Sequence, residues 1–471
     1  MNLPLLSVLG LAMAAEPLPA FPGAEGFGAY VTGGRGGQVI RVTSLAQSGP
    51  GTLREAIETP GPRIVVFAVS GVIDLGEPNC EDLYDESDSS NVLVIPHSDL
   101  TIAGQSAPGA GITLRGRLYA AYDRAVGNVV LRHLRIRPAR WGCETGGEQY
   151  DALRFARNDG AMFDHLSVAW GVDETVDVYE GRGVTIQDSI IGESATTGHP
   201  EGSHNYGLLN NGGRTSVIRT FFIHHRSRNP ALATGPGEVV NTVVYDVQQG
   251  FVNHNVASGR FNLVGNVFIE GPSASLVPFS FDGGDEATYH IADSWVERDG
   301  ASGAWSPDDL ETNSSLYLRE PPVFRGAHVA PRVLQAATVL TQLTAQAGAM
   351  PRDVVDRRLL RELAERNGAW GIERPADFMA GLQATAPPAD TDEDGMADEW
   401  ERSHGLDPND PTDHATTMAS GYPAIEAYLN VLAGIPEESA QPDGFPAKGC
   451  ETGGGPAWLS ILGILLWRRR Q

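Results

Sequence analysis

Residues 130–136 (VLRHLRI), 162–168 (MFDHLSV), 184–191 (VTIQDSII), 217–223 (VIRTFFI), 238–247 (EVVNTVVYDV) and 261–269 (FNLVGNVFI) repeat one phrase. Each copy runs from β-branched or apolar residues through a polar or small residue to further apolar residues and a Gly or Asn turn. Aligned at His133, His165, Asp188, Thr220, Thr242 and Asn266, successive copies lie 32, 23, 32, 22 and 24 residues apart. A period of about 20–30 residues made of short strands and turns marks a solenoid, whose units bury their apolar faces only against their neighbours. These units lack a helix-length apolar pattern, so the sequence predicts an all-β, right-handed parallel β-helix rather than a helical or leucine-rich array. Ladders of Val, Ile, Leu and Phe should fill its interior. A β-sandwich is the competing reading, but it needs strands alternating around hairpin turns, and few such turns are present.

The 471 residues are enough for one large domain with smaller appendages, and 56 glycines favour tight turns and short strands. A formal charge of −25 argues against nucleic acid, whose phosphates need a basic face. It also means that an acidic ligand must be drawn by bound cations or a local basic patch. The opening MNLPLLSVLGLAMAAEP has an apolar core and ends in small residues, so residues 1–14 read as a secretory signal cut near Ala14. A buried first strand is the alternative. Export would allow Cys80 and Cys143 to pair, while Cys450 belongs to the tail.

Beyond the strand-rich region, 21–330, the pattern changes. In 331–383, VLQAATVLTQLTAQAG and DVVDRRLLRELAERNG place apolar residues three and four apart, predicting two short helices, each closed by Gly. A Pro-rich linker, 384–389, leads to a small module over 390–435. A second linker, 436–449, precedes the tail 450–471. That tail, CETGGGPAWLSILGILLWRRR before the final residue, has an apolar run too short as a helix for the ~30 Å hydrocarbon core. It resembles the carboxy-terminal sorting tails of myxobacterial surface proteins; a membrane-anchoring helix is the alternative.

Three aspartates stand upstream of a basic segment. Asp151 lies in QYDALRF, Asp173 and Asp177 in WGVDETVDVY, and Arg226 and Arg228 in HHRSRNP, residues 224–230. Carboxylates without His or Cys partners make a hard, oxygen-only site that suits calcium. A calcium ion facing arginines can neutralise a ligand carboxylate and acidify the carbon beside it. On a strand, Arg226 and Arg228 would share one face. The bland alternative has the aspartates capping turns or pairing with Arg154 and Arg157. His224 and His225 read as core or wall, Asp164 and His165 as structural, and His204 as a candidate substrate contact. Separately, DTDEDGMADEWE, residues 390–401, matches the calcium-loop pattern at every defining position. Asp390, Asp392 and Asp394 would supply side-chain oxygens, Met396 its carbonyl, Asp398 a water-mediated contact and Glu401 a bidentate carboxylate, with Gly395 at the sharp turn. No nucleophile or basic group adjoins this loop, so its expected role is structural.

A run of motifs in order also resembles the secreted bacterial pectate lyases of polysaccharide lyase family 1. These are FPGAEGFGAYVTGGRGGQVIRVTSL with GPGTLREAI, VVFAVSGVIDL, LTIAGQSAPGAGITLRG, NVVLRHLRIRP, FDHLSVAWGVDETVDV and HHRSRNP, all within residues 21–380. The resemblance implies a secreted or surface-held, monomeric β-helix that cleaves polygalacturonate by calcium-dependent β-elimination. It maps the catalytic calcium onto Asp151, Asp173 and Asp177, and the Brønsted base onto Arg228 of the R-x-P motif. Two departures stand out. Ala231 and Ala233 occupy positions where the family carries a further arginine, and HPEGSHNYG lacks the lysine expected before the G-x-H segment. Arg226 would then supplement the lost charge. A β-helical glycoside hydrolase is a competitor, but the N-T-D, D-D and G-H-G motifs of such enzymes are absent from the repeats. A non-catalytic polysaccharide-binding adhesin is the other.

Overall fold

The computed structural model describes residues 17–78, 91–140, 142, 148–281, 286–309, 320–324 and 328–437. The signal segment 1–14, all three cysteines, most of the linker 436–449 and the tail 450–471 lie outside the described residues.

The chain coils into a parallel β-helix with three sheets. Each coil contributes one strand to each sheet, as in Glu174–Val178, Arg182–Gln187 and Ile190–Gly192. Strand pairings are parallel throughout, apart from Trp295–Arg298 with Ala301–Ala304. Stacking puts like residues above like. In the second sheet Val65, Ile102, Leu131, Phe163, Ile186, Val217, Val239, Leu263 and Ile291 form one inward ladder. In the third, Ile73, Leu114, Ile136, Val168, Ile191, Phe222, Val244, Phe268 and Val296 form another. Burial of these rungs is the main apolar stabilisation.

The corner between the second and third sheets corrects the sequence alignment. The rungs there are His133, His165, Asp188, Arg219 and Asn241, followed by Gly265, so Thr220, Thr242 and Asn266 sit one position too late. The first five all adopt positive φ, between 47° and 54°. Turning the corner requires this left-handed conformation, which Asn, Asp and His tolerate better than most residues. Arg219 is held in it by a two-pronged bond to Asp188 at 2.8 and 2.9 Å.

The third sheet is apolar on both faces. Its outward residues Ile190, Phe221, Ile223, Val243, Tyr245, Val267 and Ile269 pack under the helices Ala336–Gln346 and Val354–Glu365, through Val339, Leu343, Leu359 and Leu363. These are the two helices expected from spacing. Their ends differ from expectation: the second closes on Arg366 in the left-handed region (φ 55°), and the first on extended Ala347. The second sheet is covered as well. Ile64, Val66 and Ala103 pack against Met396, Ala397, Ala424, Ile425, Tyr428 and Leu429, so the segment after the Pro-rich linker docks on the β-helix.

A buried charge pair holds the second helix down. Arg137, fully buried, donates through Nε to Asp353 Oδ2 at 3.2 Å and through Nη2 to Asp356 Oδ1 at 2.7 Å. Arg137→Ala would strand two carboxylates and should destabilise the fold by about 3–5 kcal/mol. Urea unfolding of the variant checks this; a loss under about 1 kcal/mol contradicts it.

Candidate active site

The outer face of the first sheet carries a cluster of charged residues. In Glu174–Val178, Val176 and Val178 point into the core and Asp177 points out between them, following the period of two. Register places Asp177 beside Arg154 of the preceding coil and Glu174 beside Tyr206 of the next. Tyr206 in turn bridges to Ser227, which stands between Arg226 and Arg228. Four coils thus deliver the candidate residues to one patch.

Asp151, Asp173 and Glu174 each present an oxygen within 4.8 Å of the others. The Glu174 N–H donates to Asp151 Oδ1 at 3.1 Å, which locks this arrangement. Glu174 was passed over in the sequence because it sits at a variable position of the D-x3-D spacing. Asp177 lies one step along, its Oδ1 accepting from the Tyr179 N–H at 2.7 Å. Asp177 therefore also caps a turn and lies beside Arg154, whereas Arg157 pairs with Glu180. Burial, then the neighbouring Asp177 and Asp173 charges, push the Asp151 carboxyl well up. Burial and Asp173 do the same to Glu174, and burial lifts Asp177 to about 7 despite Arg154. Four crowded carboxylates facing two guanidiniums leave a deficit of positive charge. An all-oxygen donor set under that strain fits a calcium ion.

The arginines converge on Tyr206. Arg228 donates to Glu174 Oε1, and its guanidinium carbon lies 4.0 Å from the centre of the Tyr206 ring. Arg226 donates from Nη2 to Tyr206 Oη at 2.8 Å. Neither belongs to a named strand, so period-two alternation is not what aligns them. They flank Ser227 in the turn, with the Arg226 N–H donating to Asn205 O at 2.8 Å and Arg228 O accepting from the Leu208 N–H at 2.7 Å. Ala231 and Ala233 are buried.

Histidines complete the patch. His204 Nδ1 lies 2.8 Å from Asp173 Oδ1 and its ring stacks on His199. His254 was not singled out in the sequence; burial and the Arg228 charge depress it to about 4. His224 and His225 are wall residues as expected. The first bridges Asp246 at 2.7 Å and Glu362 at 3.1 Å, and the second meets Ser194 Oγ at 2.5 Å. Asp164 is likewise structural, bonded to Arg132 at 2.9 Å.

The second acidic cluster lies in the docked segment. Asp390, Asp392 and Asp394 converge, and Asp394 and Glu401 meet Asp413 from outside the loop. Oxygens of Asp390, Asp392, Asp394 and Asp413, and both of Glu401, are buried without a hydrogen-bond partner. Orphaned buried carboxylates are costly, and a calcium ion is the group this donor set fits. Asp398 departs from the expected water-mediated role: its oxygens take Thr391 N–H and Oγ1 at 2.8 and 2.9 Å and Arg402 at 2.8 Å. Met396 buries its side chain in the docking core. Arg41 of the β-helix reaches Asp390 and Glu393, each at 3.3 Å, and so ties the loop to the solenoid.

Two outcomes follow from the raised carboxyls. Calcium needs ionised ligands, so its affinity for the first-sheet cluster should fall as pH drops through about 7, with proton release on binding. Titration calorimetry in buffers of different ionisation heat reads both; pH-independent affinity contradicts the assignment. In chelator, the loop's raised groups, Asp394 at about 6 and Glu401 at about 7, favour the folded state at low pH, a contribution lost as pH rises through those values. Calcium should therefore raise the melting temperature more at pH 8 than at pH 5, and Glu401→Gln should shrink that difference.

No protein-family model matches the sequence. Curated relatives do. "Probable pectate lyase C" of Aspergillus fumigatus is 34% identical over 444 residues, spanning 91% of this chain and 97% of that one. Its counterpart in Aspergillus terreus is 33% identical over 448 residues, spanning 92% and 98%. "Probable pectate lyase 6" of Arabidopsis thaliana is 25% identical over 323 residues, spanning 60% and 64%. An alignment of 444 residues cannot fit inside 21–380, so the likeness extends beyond the segment that carries the motifs. Among solved structures, a thermostable pectate lyase aligns with a TM-score of 0.50 at 14% identity, covering 69% of this chain and 97% of that one, a likeness of fold. Sequence identity held over almost the whole chain places this protein in the pectate lyase family.

Proposed function

We propose that this patch cleaves polygalacturonate by β-elimination with calcium as cofactor, leaving unsaturated oligogalacturonides. The observation that carries the reading is the juxtaposition of Asp151, Asp173, Glu174 and Asp177 with Arg228 on one face of a pectate-lyase β-helix. A hydrolase would need an acid and a base carboxyl flanking a bond. Here the carboxylates crowd together, and the group facing them is a guanidinium.

Asp151, Asp173 and Asp177, with Glu174 beside them, would hold the ion. When bound, calcium supplies a Lewis acid that neutralises a uronate carboxylate and acidifies C5. The remaining work falls to the chain. Arg226 and Tyr206 form a polar platform, and the Arg226 guanidinium can grip a uronate carboxylate by two parallel bonds. Arg228 takes the C5 proton as the glycosidic oxygen leaves C4. Guanidinium is an unwilling base, with an intrinsic pKa above ~12. Loss of its proton is favoured at high pH, so an alkaline optimum follows, and the departing glycosidic oxygen takes its proton from water. The family and the pattern of residues 1–14 support an exported enzyme, with the loop at 390–401 as a second, structural calcium site.

The test is a pair of substitutions assayed on polygalacturonate. Arg228→Lys should lose about 100-fold or more in turnover, since removal of one preorganised group commonly costs ~2.7–4 kcal/mol of transition-state stabilisation. Arg226→Lys should chiefly raise KM. Equal, mild losses would mean that another residue is the base. Retained binding without any turnover in the native chain would favour an adhesin.

A further inference from the structure

We propose that His199, His204 and Asp173 form a site for a borderline-soft divalent ion such as zinc, and that this ion competes with calcium by taking Asp173. His199 Nε2, His204 Nδ1 and an Asp173 oxygen lie within 4.8 Å of one another. His204 Nδ1 is 2.8 Å and His199 Nε2 3.8 Å from the same atom, Asp173 Oδ1. The two rings stack with centroids 3.3 Å apart, so both present a nitrogen to that oxygen from one side. Two imidazoles and one carboxylate, with a fourth position open to solvent, form a donor set that zinc, cobalt and nickel take readily and calcium does not.

Electrostatics select this cluster over the other histidine–carboxylate group. His133, Asp164 and His165 also converge, but Asp164 there is already paired with Arg132 at 2.9 Å and accepts from Gln187 at 2.9 Å. Around Asp173 the neighbours are Asp151, Glu174 and Asp177, and they draw a cation. On binding, the contact between His204 Nδ1 and Asp173 Oδ1 gives way to bonds from both atoms to the ion. Coordination through His199 Nε2 also requires release of the bond from the Glu201 N–H to His199 Nδ1, an exposed contact that water replaces at little cost.

The competition half of the inference rests on the calcium role of Asp173; the binding half does not. Cobalt(II) added to the full chain in calcium-free buffer reports binding without turnover, through the intense visible absorption of low-coordinate cobalt. The native chain should show that band, zinc should quench it, and His199→Ala should weaken cobalt affinity at least about 10-fold. His133→Ala should leave it unchanged. Zinc should raise the calcium concentration needed for half-maximal lyase activity about 10-fold in the native chain and little in His199→Ala. A cobalt band that survives His199→Ala, or one lost in His133→Ala, overturns the site. Zinc that binds without moving the calcium requirement overturns the competition. An inactive chain that still gives the histidine-dependent band would instead count against the lyase reading.

Discussion

Parallel register is the constraint on which everything else depends. Because each coil stacks directly on the last, a residue's neighbours are the residues one coil away, about 4.8 Å along the axis. That rule builds the apolar ladders through Phe163 and Phe222. It also carries Asp151, Glu174, Tyr206 and Ser227 across four coils onto one line. Aligning like charges that closely is unfavourable. Burial first, and then these like charges, raise the carboxyls of Asp151, Glu174 and Asp177, a cost that a bound cation would relieve.

The three sheets divide the labour. The third is buried beneath two helices, and the second is covered by the docked segment after the Pro-rich linker and by the amino-terminal turns. The first sheet turns Arg154 and Asp177 outward and so becomes the working face. This arrangement reconciles a net charge of −25 with an anionic substrate. On the proposed reading, attraction comes from the arginines of the patch and the cation it would hold.

Much of this was legible in the sequence, for reasons that can be named. Short apolar strands at a regular interval report a solenoid because stacking demands them, and a D-x3-D spacing with an R-x-P motif points to the site proposed above. What escaped was whatever depended on crossing between coils. Thr220, Thr242 and Asn266 were aligned one residue late because the corner is defined by positive φ, which composition signals only weakly at Arg219. Glu174 and His254 belong to no motif, and only register and the return of the chain bring them to Arg228. Asp413 joins the loop at 390–401 from beyond its twelve residues, and Asp398 is consumed by Thr391 and Arg402. Helix ends expected at Gly fell on Ala347 and Arg366, where a tertiary contact outweighs local preference: Arg366 pairs with Glu297 of the third sheet.

The central claim is that a carboxylate-held cation and a guanidinium on the first sheet break the chain of a polyuronate by elimination. Mass analysis of the products from polygalacturonate, with calcium and with excess chelator, tests it most directly. The account predicts oligomers lighter by one water than hydrolysis would give, formed with calcium and abolished by chelator. Saturated oligomers, or undiminished cleavage in chelator, would contradict it.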